Sequence, residues 1–214
     1  MAPQIVQAQG TTTNLSNLDQ ASAGSLAVGS DSWLALGFTT GFNASGYTLD
    51  SIQLAMTDAS GTPSGFTAYL YSADIGTGVF WIPGSSLGTF SGSLSPVRGG
   101  IFTYTPTSTM TLSVNTTYFV VLNAGTAVAN GAYGLSYTDS SSYNSSEGWA
   151  GPFEQGGIST STSEVQGHPI WGITSGEYGQ MAINATDVPE PGVLGLFGFG
   201  GLCVLWHRRK AKAV

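Results

Sequence analysis

The most regular alternation in this chain of 214 residues reads Ser51-Ile52-Gln53-Leu54-Ala55-Met56. Successive side chains of a β-strand point to opposite faces, so Ile52, Leu54 and Met56 would lie together on one face. Alternation with a period of two is typical of a strand that buries one face. The stretch therefore predicts a β-strand whose three large apolar side chains belong to the core.

Segments of similar character recur along the chain, rich in Val, Ile, Thr, Tyr and Phe and separated by clusters of Gly, Ser, Asn or Pro. The predicted strands are Trp33–Thr39, Tyr47–Thr57, Phe66–Ser72, Ile101–Thr105, Met110–Val114, Thr117–Asn123, Ala132–Thr138 and Tyr178–Thr186. Asn130-Gly131 lies between two apolar stretches and favours a two-residue hairpin turn. No convincing helical periodicity precedes residue 188. The pattern predicts an all-β fold, an antiparallel β-sandwich of the jelly-roll type.

The residues before position 188 are predicted to form one domain, since their number suits a single core and no linker divides them. We assign residues 11–187 to an exported β-sandwich domain and residues 188–212 to a sorting and anchor segment. Residues 1–10 have neither the basic start nor the apolar core of an export leader. Val6-Gln7-Ala8 would suit the end of a leader, so one hypothesis is that residues 1–10 are a leader remnant.

Charge is scarce in this chain and unevenly distributed. Charged residues make up 8% of it, against about 25% in typical soluble domains. Residues 1–187 carry eleven acidic side chains and one basic side chain, Arg98, which gives a formal net charge of −10. Such a field repels phosphate backbones, so the composition argues against nucleic-acid binding.

The chain ends with an apolar run that is followed by basic residues. Gly192–Trp206 would be about 22 Å long as a helix, against about 30 Å for the hydrocarbon core of a bilayer. We therefore predict a short transmembrane helix that anchors only marginally. The basic residues that would stop translocation are Arg208, Arg209, Lys210 and Lys212. Because such a cluster stays on the cytoplasmic side, the body would lie outside and the C-terminus in the cytoplasm.

Four residues stand directly before the apolar run: Val188, Pro189, Glu190 and Pro191. The order of Pro-Glu-Pro, short apolar segment and Arg-rich terminus resembles the PEP-CTERM sorting signal of Gram-negative bacteria. The resemblance implies recognition and cleavage by exosortase, a membrane protease-transpeptidase, usually in species that make extracellular polysaccharide. It also implies delivery to the cell envelope or surface with at least a transient membrane anchor. An ordinary single-pass anchor would equally fit the apolar run and its basic end.

The body resembles the choice-of-anchor R group of exported β domains. The resembling segments are Ser25–Ala35, Phe38–Gly41, Tyr47–Ile52 and Thr117–Leu122. These are strand and turn residues, so the resemblance implies a fold and no chemistry.

A hydrolase nucleophile motif, Gly-x-Ser-x-Gly, fits the stretch Gly84-Ser85-Ser86-Leu87-Gly88. Such an elbow needs a helix directly after it, and its base would have to be His168, because His207 lies beyond the apolar run. We predict instead a plain turn after Pro83 and no catalytic residues. An exported serine hydrolase that uses Ser86 and His168 stays open as a second alternative.

Cofactors and metal ions are not expected. Residues 1–187 contain one histidine and no cysteine, whereas transition-metal sites need clustered His or Cys ligands. Calcium binding is left open through the acidic side chains of Asp31, Asp50, Asp58 and Asp139, none of which has a recognised loop spacing.

The leading hypothesis is a non-enzymatic exported protein of the envelope or surface, with a role in matrix, adhesion or coat. A carbohydrate-binding, lectin-like module is the first alternative, because aromatic rings on a β-scaffold can stack on sugars. Tyr143 and Trp149 are the candidate glycan contacts, since both lie in the Gly/Ser-rich stretch 139–157, where exposure is expected. The expected partners are exosortase, the membrane through the C-terminal segment, and extracellular polysaccharide.

Overall fold

The computed structural model describes residues 12–75, 81–151, 159–161, 164–165, 168–169, 171–173 and 176–189. Within these ranges, no helix is long and apolar enough to cross a bilayer. The predicted transmembrane helix, the basic stop at residues 208–212 and the hypothetical leader remnant at residues 1–10 lie outside the described residues, as do Glu190 and Pro191.

The described residues form β-strands and a single 3-10 turn at Val128–Asn130. In chain order the strands are β1 (Thr12–Ser16), β2 (Gly24–Val28), β3 (Trp33–Thr39), β4 (Tyr47–Gly61), β5 (Thr67–Ile75), β6 (Trp81–Ser91), β7 (Gly100–Pro106), β8 (Thr111–Leu112), β9 (Thr117–Asn123), β10 (Gly131–Thr138), β11 (Asn144–Ser145), β12 (Ser159–Ser161), β13 (Glu164–Val165), β14 (His168–Pro169), β15 (Gly172–Ile173), β16 (Tyr178–Gly179) and β17 (Met181–Asp187).

Fifteen of these strands form one sheet, and β13 and β14 pair separately. The path through the large sheet runs β11-β1-β17-β4-β7-β6-β5-β9-β3-β12-β15, while β10 pairs with β2, β4 and β16, and β8 pairs with β4. The pairings are antiparallel throughout. The sheet curls as a half-barrel, and one large apolar cluster takes side chains from both of its halves.

The all-β, antiparallel fold predicted from the sequence is confirmed, but the two sheets of the expected sandwich are joined into one. The link is short, because β6 and β7 share two residue pairs, Phe90 with Pro106 and Ser91 with Thr105. Pro106 has no backbone N–H group with which to extend the ladder. This link divides the sheet into two halves, one with β6, β5, β9 and β3 and the other with β7, β4, β17 and β1. Both halves contribute side chains to the same core.

Strand β4 lies at the centre of the sheet and contains the alternating stretch. Its 15 residues pair with β17, β7, β10 and β8. Ile52, Leu54 and Met56 are 0%, 0% and 3% exposed, while Gln53 and Ala55 between them are only half-buried. The predicted core face of this strand is thus confirmed.

Three aromatic rings pack together in the interior, and we call Phe66, Tyr104 and Tyr133 the sealed cluster. The ring of Phe66 lies 5.6 Å from that of Tyr104 and 5.3 Å from that of Tyr133, measured between centroids. The Tyr104 hydroxyl donates a hydrogen bond to the carbonyl of Ser93, and the Tyr133 hydroxyl donates one to the carbonyl of Leu94, both at 3.1 Å. Burial raises the pKa of the Tyr104 hydroxyl. Every polar atom of these rings is therefore paired within the protein.

Strand bounds were predicted best where large apolar residues are continuous. Trp33–Thr39 and Thr117–Asn123 were predicted with their observed bounds, and these two strands pair with each other. The predicted strand Tyr178–Thr186 is divided at Gln180 into β16 and β17. Three longer strands were not predicted, Thr12–Ser16, Gly24–Val28 and Trp81–Ser91, and neither were the short strands β11 to β15.

Two predicted turns are wrong. The plain turn after Pro83 is absent, because Gly84–Gly88 runs through the middle of β6 and pairs with β5 through two register shifts. The hairpin at Asn130-Gly131 is absent as well, because β9 and β10 are not neighbours in the sheet. Gly131 has a φ of +142° and begins β10 opposite Gly61, where a Cβ atom would lie 2.6 Å from the backbone nitrogen of Thr62. This glycine permits the start of β10 to approach the end of β4 and the backbone just after it closely.

Candidate functional site

A cavity of about 610 Å³ opens at the edge of the body where β17 ends. Its walls come from the start of β1, the loop between β3 and β4, the segment 146–149 and the last residues of β17. These segments meet because β1 pairs with both β11 and β17, and β17 pairs with β4. The sheet register thus builds one cleft from parts of the chain that are far apart in sequence.

One wall of the cleft consists of aromatic rings, and we call Phe38, Tyr47 and Trp149 the cleft cluster. Trp149 stacks on Phe38 with a centroid distance of 6.2 Å and an interplanar angle of 7°. Tyr47 meets Trp149 edge-on at 4.8 Å and 70°. Backbone hydrogen bonds between Thr39 and Ala150, at 2.7 and 3.1 Å, fix the segment that carries Trp149. Tyr47 and Trp149 line the cavity, and Phe38 supports them from behind.

The predicted exposure of Trp149 is wrong. Trp149 is 3% exposed, because the Gly/Ser-rich segment around it folds back onto β3 and inserts the indole into the core. Tyr143, the other predicted glycan contact, is 38% exposed as expected, but it does not line the cleft. The structure therefore does not bring the two predicted contacts onto one open face.

Two hydrogen-bond donors of the cleft have no partner among the described residues. They are the indole N–H of Trp149 and the side-chain amide Nδ2 of Asn14, a residue that is 4% exposed. The other amide atom of Asn14, Oδ1, accepts a hydrogen bond of 2.7 Å from the N–H of Ala185, which fixes the side chain. Thr57 Oγ1 is the one fully buried and unpaired side-chain polar atom in the described part of the chain. Both cleft donors therefore keep contact with solvent, at the wall of the cavity that their residues line.

Acceptors and an exposed ring complete the lining. Glu147 and Asp187 contribute carboxylates, and no Lys or Arg is found among the described lining residues. Phe42 is 63% exposed at the rim. Gly148 has a φ of +77°, and a Cβ atom there would lie 2.6 Å from the Phe42 ring. Glycine at this position therefore allows the Phe42 ring to approach the segment 146–149 closely.

The cleft adjoins a set of hydrogen bonds that we call the Asn43 clamp, formed by Asn43, Gly46 and Val188. The Asn43 side-chain amide donates to the carbonyl of Gly46 at 2.8 Å and to the carbonyl of Val188 at 3.2 Å. The N–H of Val188 donates to the carbonyl of Gly46 at 3.0 Å. The backbone N–H of Asn43 donates to the Tyr47 hydroxyl at 3.0 Å, which ties the clamp to the cleft cluster. The chain thus leaves the body from a fixed point, one residue before Pro189.

The structure separates Ser86 from the geometry of a nucleophile elbow. Ser86 lies in β6 opposite Tyr71, and the chain continues as a strand to Ser91 rather than entering a helix. His168 lies in the short strand β14, and its side chain is outside the described residues. Among the residues that the structure describes, no three His, Cys, Asp or Glu side chains come close enough to hold a metal ion.

The C-terminal segment is matched by the model of the PEP-CTERM protein-sorting motif over residues 187–210. The chain therefore carries this sorting motif, which indicates an exported protein that is sorted and processed by exosortase and associated with the cell envelope. No curated protein and no solved structure matches the chain. The resemblance of the body to the choice-of-anchor R group is not confirmed.

Proposed function

We propose that this protein is a non-enzymatic component of the cell surface, with a role in matrix, adhesion or coat. Its body is held outside the membrane, and its C-terminus lies in the cytoplasm until exosortase cleaves the sorting segment. The observation that carries the proposal is the sorting motif at residues 187–210, which begins inside the last strand of the body, at Asp187. Body and signal are thus one continuous piece, without a linker between them.

The charge distribution supports this orientation. Four of the five basic residues of the chain lie at positions 208–212, and the fifth is Arg98. Basic residues directly after an apolar segment resist translocation, whereas an acidic body does not. The acidic body also disfavours anionic partners and leaves uncharged or cationic ones.

The Asn43 clamp supports a direct role of the body in presenting the signal. Val188 is held by backbone and side-chain hydrogen bonds, and Pro189 follows it with its φ angle restricted by the ring. The segment that exosortase must recognise therefore begins at a fixed point on the body. A flexible linker would leave that starting point variable.

The proposal is tested by deletion of residues 190–214, which keeps Val188 and its clamp and so leaves the fold intact. The truncated protein should be released from the envelope, whereas the full chain should remain there in cell fractionation. Mass spectrometry of the retained protein should find a mature C-terminus within residues 187–210. Unchanged fractionation of the truncated chain would refute envelope anchoring by this segment.

Orientation has its own control. Replacing both Arg208 and Arg209 by alanine should weaken retention or invert part of the population, as measured by protease accessibility of the body in intact cells. Arg98→Ala removes a cation from the body instead, and it should change neither retention nor orientation. Equal retention and equal protease accessibility of the Arg208/Arg209 double variant and of Arg98→Ala would contradict the proposed orientation.

A further inference from the structure

We infer that the cleft beside the Asn43 clamp binds a sugar unit of an uncharged polysaccharide. The inference deepens the proposed function and rests on it, because only an exported body meets polysaccharide at the cell surface. It assigns the ligand to a cleft that contains neither Tyr143 nor any other residue of the stretch 139–145.

The volume of the cleft suits such a ligand. Pockets for small ligands enclose roughly 300–1,000 Å³, and this cleft encloses about 610 Å³. It is open to solvent, so a polymer can seat one or two units inside. Its walls belong to strands and to segments fixed by backbone hydrogen bonds, so it is formed before a ligand arrives.

The polar groups of the cleft match those of a sugar. A sugar hydroxyl both donates and accepts, so a complementary site needs donors and acceptors close together. Trp149 Nε1 and Asn14 Nδ2 are donors without a partner in the described part of the chain, on side chains that are more than nine-tenths buried. Glu147 and Asp187 supply acceptors in the same lining. Both donors contact solvent, so a sugar hydroxyl would take the place of water as their hydrogen-bond acceptor.

The Phe42 ring supplies the apolar contact. At 63% exposure, this ring is the most accessible aromatic surface of the lining. Gly148 leaves room for this ring beside the segment 146–149, and the C–H face of a sugar can lie against the exposed part of the ring. The neighbouring Trp149 offers its N–H rather than its face, since its ring is covered by Phe38 and Tyr47.

The charge of the cleft disfavours anionic sugars. The lining carries two carboxylates and no basic side chain among the described residues, and residues 1–187 have a formal charge of −10. Uronic acids and sulfated or phosphorylated sugars would meet repulsion there without a cation to compensate it. Carboxylates accept hydrogen bonds from neutral hydroxyls strongly, as charge-assisted bonds.

The test uses the protein in the form that the envelope retains, extracted into detergent. Its migration is measured in affinity gels that contain soluble neutral glucans, galactans, mannans or xylans, with polygalacturonate and chitosan as the anionic and cationic comparators. We expect retardation by at least one neutral polysaccharide and none by polygalacturonate. Absence of retardation by every neutral polymer would overturn the inference, and so would retardation by chitosan alone.

Variants locate the binding. Phe42→Ala should weaken the affinity about fivefold by removing the stacking surface. Glu147→Gln should weaken it by a similar factor, and is preferred to a change at Asp187, which belongs to the sorting motif. Tyr143→Ala is the matched control, since it removes an exposed ring outside the cleft, and it should leave affinity unchanged. A loss on Tyr143→Ala as large as that on Phe42→Ala would overturn the assignment to this cleft.

Failure of this inference and failure of the proposed function give different results. If neutral polysaccharides do not bind while the full chain is still retained in the envelope, the cleft assignment falls and the proposed function stands. If the full chain is not retained in the envelope, the proposed function falls, and the inference falls with it.

Discussion

The sealed cluster and the cleft cluster each pack three aromatic rings in the interior, but two rings of the cleft cluster line the cleft and none of the sealed cluster does. In the sealed cluster the hydroxyls of Tyr104 and Tyr133 both donate to backbone carbonyls at 3.1 Å. In the cleft cluster the N–H of Trp149 has no partner among the described residues. Burial of an aromatic ring therefore does not by itself distinguish a ring of the core from a ring that lines a cleft. Unpaired polar atoms on buried rings are the better indicator.

The largest expected effect comes from breaking the sealed cluster. Phe66→Ala removes a fully buried ring between two others and should lower the free energy of unfolding by about 3–5 kcal/mol. Chemical denaturation of the full chain in detergent measures it. Phe42→Ala is the control, because its exposed ring should change stability by less than about 0.5 kcal/mol. Similar losses for both variants would contradict the distinction between core ring and site ring.

A smaller effect is expected at the Asn43 clamp, which borders the cleft cluster. Asn43→Ala removes side-chain hydrogen bonds to Gly46, Val188 and the N–H of Ser45, and should cost about 1–2 kcal/mol. Amide hydrogen exchange at Val188 should become about tenfold faster, because its bond to Gly46 loses support.

Asn43→Asp refines this prediction. It keeps an acceptor for Ser45 and lacks the donor to Val188, so it should accelerate exchange at Val188 as the alanine variant does. Unchanged exchange at Val188 in both variants would show that the side chain does not hold the exit of the sorting segment.

The smallest effect concerns the paired hydroxyl of the sealed cluster. Tyr104→Phe should cost about 1 kcal/mol near neutral pH, because the carbonyl of Ser93 loses its donor. The raised pKa of Tyr104 also gives a pH signature. As pH rises above about 10, tyrosine ionises in the unfolded chain first, so the stability contributed by the neutral hydroxyl is lost progressively. In Tyr104→Phe, the denaturation midpoint should therefore fall less steeply with rising pH. An unchanged dependence on pH would refute the assignment of this fall to Tyr104.

The sequence predicted those strands in which apolar residues alternate with polar ones or form a continuous apolar run. Ile52, Leu54 and Met56 alternate, and Thr117–Asn123 contains a continuous apolar run that is buried on both faces of β9. Such patterns can be recognised in one segment without knowing which strands pair with it. β6 was missed because Pro83 and the glycines near it indicate a turn, and its bulged pairing with β5 tolerates them.

The cleft could not be predicted, because its residues carry no common local signal. Asn14, Phe42, Trp149 and Asp187 come from four separate segments, which only the pairing of β1, β4, β11 and β17 brings together. Trp149 was assigned to an exposed loop from its Gly/Ser-rich surroundings, and its burial depends on the two-residue bridge of Ala150 to Thr39. The sorting motif was predictable, since its order is contained in one continuous segment.

The position of Val188 has a mechanical consequence. Tension on the proposed membrane anchor would enter the body at the end of β17, which runs antiparallel to β4 from Met181 to Asp187 and to β1 on its other side. A pull along the strand would load these hydrogen bonds in shear, so that many must fail together, whereas peeling would break them singly. A polymer seated in the cleft would instead pull at the same end of the body. The force would then pass from polymer to anchor through the end of β17 and the clamp, and the length of β17 and the remainder of the sheet would bear almost none of it.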